Sequence, residues 1–166
     1  MEYLLLILDF FKVKKGVVLV HLIIPAIIGI VIFYVGDDAN FVKNASEFRS
    51  NTVTVLGILV GFSISIFTVF LTIDNENIRN AKSFKIKESD SITLYESVLI
   101  VLAYLIIIQG FLLIFNFIYP AFIEIESQKG KQLFAINISL LVHIIMLLMR
   151  NILDFYFILT KKTKFN

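Results

Sequence analysis

Four uncharged stretches divide this chain: Val17 to Val35, Thr52 to Ile73, Ser97 to Tyr119 and Leu133 to Met149. The charged residues gather between them. A helix rises 1.5 Å per residue, so about 20 apolar residues cross the roughly 30 Å of bilayer hydrocarbon. Transmembrane strands would alternate apolar and polar positions over about ten residues. These stretches are apolar on every side and about twice that length. The expectation is therefore an all-α fold, a four-transmembrane-helix bundle forming a single membrane domain over 1–166. Its spans are placed at about 17–35, 52–73, 97–119 and 133–155, the last carrying Arg150 and Asp154 into an apolar continuation.

Composition agrees. Hydrophobic residues make up 58% of the chain and mean hydropathy is +0.90, whereas soluble domains run near 45–50% apolar. The net charge of +2 is too small and too scattered for direct nucleic-acid binding. Cysteine is absent, which excludes disulfides, thiolate zinc sites and cysteine nucleophiles. At the N-terminus Asp9 interrupts the apolar run and lysines 12, 14 and 15 follow it. That order does not fit a cleaved signal peptide; the expectation is a retained helix over 2–15 lying in the membrane interface.

Orientation follows from Lys and Arg near the span ends. Lys12, Lys14, Lys15, Arg79, Lys82, Lys85, Lys87, Arg150, Lys161, Lys162 and Lys164 fall on one side. Only Lys43, Arg49, Lys129 and Lys131 fall on the other. Both termini and the segment 74–96 are thus expected in the cytosol, with a short loop from Gly36 to Asn51 outside. Asp74-Asn75-Glu76 can cap a short helix within 74–96.

Within a bilayer, helix association relies on close approach at small residues and on interhelical hydrogen bonds. Thr54, Gly57, Gly61, Ser65, Thr68 and Thr72 recur at steps of three or four in span 2. This stripe reads as a packing face, and Gly57, Gly61, Ser65 and Thr68 are its core. It can serve helices of the same chain, an oligomer axis or a pore lining. Gln109 and Asn116 share a face of span 3, and Ser139, His143, Arg150 and Asp154 share one of span 4. Amides at this depth need partners, since unsatisfied polar groups cost several kcal/mol in hydrocarbon. For His143 an interhelical bond and a proton-sensing or relay role both stay open. Arg150 and Asp154 form an (i, i+4) pair, either at the headgroups or deeper. Arg79, Lys82, Lys85 and Lys87 can bind headgroups or a partner.

Enzyme motifs are missing: no HExxH, no Gly-x-Ser-x-Gly and no phosphate-cradling glycine loop occurs. No catalytic residue, metal site or cofactor is expected. The sequence reading is an oligomeric non-enzymatic integral membrane protein, a sensor or anchor for a cytosolic protein partner. Its alternative is a small ion channel, transporter or membrane-depolarising effector.

The run from Leu56 through Gly57, Gly61 and Ser65 to Thr68, followed by Asp74-Asn75-Glu76-Asn77-Ile78, resembles small four-span membrane subunits of bacterial anti-phage systems, the KwaA-like subunits of Kiwa. The resemblance implies a homo-oligomer, favoured as a tetramer, in the bacterial inner membrane. It further implies sensing of phage-induced membrane disturbance together with a cytosolic nucleic-acid-binding partner.

Overall fold

The computed structural model describes residues 7–11, 15–36, 38–86, 89–123 and 127–160. It is all-α apart from one small hairpin. A helical stretch at 7–11 is followed by α1 (Lys15–Val35), α2 (Asp38–Thr72), α3 (Glu76–Ser83), α4 (Leu94–Ile118) and α5 (Gln128–Thr160). By length and composition three segments can cross a membrane: Asn44–Thr72, Leu94–Ala121 and Gln128–Thr160. Val20–Val35 is a shorter apolar helix. These coincide with the four apolar stretches of the sequence. Of the expected interfacial helix over 2–15, residues 2–6 and 12–14 lie outside the described residues. Within 7–11, Phe10 is fully buried and its ring stacks on Tyr104 at 4.0 Å.

Two segments differ from expectation. The loop predicted from Gly36 to Asn51 is helical from Asp38 onward, so α2 runs for 35 residues, about 52 Å at the helical rise. The reason is amphipathic spacing: Phe41, Ala45, Phe48 and Thr52 recur at helical intervals. Phe41, Ala45 and Thr52 are buried, and Phe41 and Phe48 set their rings edge-on against Phe134 of α5 at 5.1 and 4.8 Å. The second difference is a two-stranded antiparallel hairpin after α3. Strand β1 (Lys85–Ile86) pairs with β2 (Ser89–Thr93), Lys85 opposite Thr93 and Ile86 opposite Ser89.

The short helix expected within 74–96 is present as α3. Asn75 is its N-cap, accepting from the Ile78 amide at 2.9 Å, and Arg79 grips Asp74 through two bonds of 3.1 and 2.9 Å. The Arg79 guanidinium holds the Asp74 carboxyl below its ordinary value. Thr93 then starts α4 with a capping box: its hydroxyl accepts from the Glu96 amide while Glu96 accepts from the Thr93 amide. Such reciprocal caps satisfy two of the four amides that a helix start leaves unbonded.

α4 packs against both α2 and α5, while α1 packs mainly against α5. One core cluster joins Leu56, Leu105, Leu112, Ile144 and Leu147. A second, where α3 closes one end, joins Phe70, Ile78, Ala81, Val98, Leu102 and Ile158. The outward faces are apolar: Ile27, Ile30, Ile58, Phe111, Phe117 and Met149 are all more than half exposed. That is the surface of a helix set built for lipid contact.

Candidate functional site

Most of the buried polar groups lie along one seam, where α5 faces α4 on one side and α1 on the other. Its centre is built from a proline. Pro25 has no amide N–H, so the carbonyl of His21, four residues earlier, loses its helical donor. Across the interface His143 supplies the replacement, with Nδ1 2.7 Å from the His21 oxygen. A carbonyl can only accept, so Nδ1 carries the proton and Nε2 of the neutral ring is an acceptor. The Tyr104 hydroxyl stands 3.2 Å from Nε2 and therefore donates to it. One turn along, Ser139 Oγ donates to the Pro25 carbonyl at 2.8 Å. These five residues thus fix α1, α4 and α5 in one rotational setting.

This arrangement decides what His143 can do. Tyr104 and the ring could exchange a proton, but the other end of the string is a peptide carbonyl, which passes none on. The geometry is that of an interhelical lock. It favours the packing reading of His143 over the relay reading.

Toward the C-terminal end of α4, Asn116 and Asn137 bond each other twice, through reciprocal amide contacts of 2.8 and 2.7 Å, and Asn116 also donates to the Leu112 carbonyl at 2.8 Å. Toward the α3 end, Asn151 reaches the Val98 carbonyl at 3.4 Å. Gln109 lies between these bonded levels, fully buried. Among the described residues neither its oxygen nor its nitrogen has a hydrogen-bond partner. Sequence reasoning picked out Gln109, Asn116 and His143 because each is polar within an apolar run. It passed over Tyr104, Asn137 and Asn151; the last two carry the same signal, in the same helix as His143.

The stripe on α2 lies elsewhere. Gly57 and Gly61 have no described neighbour within 4 Å of an added Cβ. Ser65 and Thr68 are exposed, their hydroxyls bonded back to the carbonyls of Gly61 and Ile64 at 2.9 Å. Close helix approach within the chain occurs instead at Gly29, where a Cβ would collide with Ser139 Oγ. The stripe therefore faces outward.

Arg150 and Asp154 form their expected pair, at 3.4 Å, with the arginine side chain half exposed and the aspartate more covered. The pair stands level with the Phe70–Phe155 ring contact. Of the basic residues near α3, Arg79 holds Asp74, Lys82 lies 4.8 Å from the Tyr95 ring centroid and Lys85 is an exposed strand residue. Lys87 and the tail 161–166 lie outside the described residues.

No protein-family model, curated protein or solved structure matches this chain. By length and composition, its three long apolar helices and a shorter fourth are those of a helical membrane protein.

Proposed function

We propose that this chain is a four-span inner-membrane protein with cytosolic termini that works as a homo-oligomer, without catalysis, as sensor or anchor for a cytosolic protein. The carrying observation is the outward stripe of α2. A membrane helix gains little from apolar contact with another helix, and gains most where small residues let backbones come close. Gly57 and Gly61 are open in the single chain, and the hydroxyls beside them are satisfied by their own helix, so the face is smooth and carries no unmet polar demand. It suits a second copy. The cytosolic side would present α3, the hairpin and their basic residues, a surface suited to anionic headgroups or a soluble partner. The anti-phage setting rests on the resemblance around residues 56–78.

The test is oligomeric mass in nanodiscs by multi-angle light scattering. Gly57→Leu with Gly61→Leu should lower the mass toward that of one chain, while the helical signal is retained. An unchanged mass removes the α2 interface. A channel role would instead show as ion flux from proteoliposomes above that of empty vesicles.

A further inference from the structure

Between α1 and α5 runs a cleft of about 570 Å³, walled by Ala26, Ile30, Phe33, Ile136 and Leu140 among others. It extends from the level of Gln132 to that of His143. Eleven residue steps at the helical rise make it about 16 Å long, half of the roughly 30 Å hydrocarbon thickness. Gln132 adjoins the start of the uncharged run at Leu133, so the cleft begins at a bilayer edge and stops near the midplane.

Its polarity is graded. At the edge stand Gln132, the exposed Tyr34 and, beside them, Lys131, whose ammonium donates to the Gly36 carbonyl at 2.8 Å and lies 5.9 Å from the ring of Phe33. At the inner end the polar atoms of Ser139 and His143 are engaged with the Pro25 and His21 carbonyls and with Tyr104, which leaves carbon surface toward the cleft.

We propose that this cleft holds one acyl chain of a phospholipid, with its phosphate at the edge near Lys131 and its methyl end near His143. The charge of Lys131 complements the phosphate, and the cleft length matches one leaflet. The site is separate from the α2 stripe, so it stands or falls independently of the oligomer.

The experiment uses the full chain in nanodiscs of phosphatidylethanolamine and phosphatidylglycerol, doped with a phosphatidylglycerol whose acyl chain carries a diazirine. After irradiation, adducts are mapped by peptide mass spectrometry. Adducts on Ala26, Ile30 and Ile136 should exceed those on Phe111 and Ile114, which are comparably exposed on α4 and away from the α2 stripe, by about tenfold. Ala26→Phe, which fills the cleft from α1, should erase that excess and leave the α4 adducts unchanged; Ile136→Trp fills it from α5 and guards against misfolding of the first variant. Equal adduct density on both faces would mean ordinary boundary lipid and overturn the proposal. So would an efficient disulfide between copies carrying Ile30→Cys, which would make the cleft a protein interface.

Discussion

At the scale of single residues, the informative pair is Pro25 and His143, which the sequence shows as two unrelated letters 118 positions apart. Pro25 releases a carbonyl and His143 satisfies it, a repair by a neighbouring helix of the kind that lets proline persist in membrane helices. A buried polar group left unsatisfied costs about 1–3 kcal/mol, although in membrane proteins measured side-chain bonds average only about 0.6 kcal/mol. His143→Leu strips partners from the His21 carbonyl and the Tyr104 hydroxyl together, so a loss of about 1–3 kcal/mol is expected. Pro25→Ala restores an N–H at position 25 that can bond the His21 carbonyl. In the His143→Leu background it should recover about 1 kcal/mol more than it does in the native chain. Reversible unfolding in mixed micelles measures this cycle, and strictly additive costs would show that the carbonyl is not what His143 serves. The partner and tautomer of His143 were beyond reach of the sequence, because the register between helices decides which side chain meets the carbonyl that Pro25 releases.

At the scale of elements, the long apolar helices were legible because their length and hydropathy are those a bilayer imposes on any helix that crosses it. The start of α2 was not, because Lys43, Glu47 and Arg49 give 38–51 the composition of a loop. Its helical stripe of Phe41, Ala45 and Phe48 becomes decisive only when Phe134 of α5 is there to meet it. The hairpin was hidden for a similar reason: Ser89–Thr93 is short and polar, and its pairing is set by the positions of α3 and α4. Along α4 the polar positions were visible but their pairing was not, since register between helices decides it. Two substitutions of like size separate bonded from unbonded amides. Asn116→Leu orphans Asn137 and should lower stability by about 1–3 kcal/mol. Gln109→Leu removes an amide that has no partner among the described residues and replaces it with an apolar group of similar volume, which costs nothing or stabilises. Melting temperatures of the two variants in one detergent should therefore move in different directions, or at least by clearly different amounts. A loss at Gln109 equal to that at Asn116 would mean that Gln109 has a bonding partner in the bilayer.

At the scale of the whole molecule, two helices exceed what a bilayer needs: α2 with 35 residues and α5 with 33, each about 50 Å long. Their excess lengths fall at opposite ends. The first turns of α2 carry Glu47 and Arg49 beyond the uncharged stretch, while the last turns of α5 run past Arg150 to meet α3, where Asn77 donates to the Leu159 carbonyl. Four crossings would place these two ends on opposite sides of the membrane, and the basic residues divide 11 against 4 in favour of α3 facing the cytosol. Because the chain has no cysteine, each introduced one reports alone. Ser46→Cys and Lys129→Cys should react with a membrane-impermeant maleimide on intact spheroplasts, whereas Ser83→Cys and Lys85→Cys should react only after lysis. The reverse pattern would invert the orientation and put the α3 surface out of reach of any cytosolic partner. Reaction of Ser46→Cys and Ser83→Cys from the same side would leave α2 without a crossing, and the open Gly57–Gly61 face would then have no bilayer in which to meet a second copy.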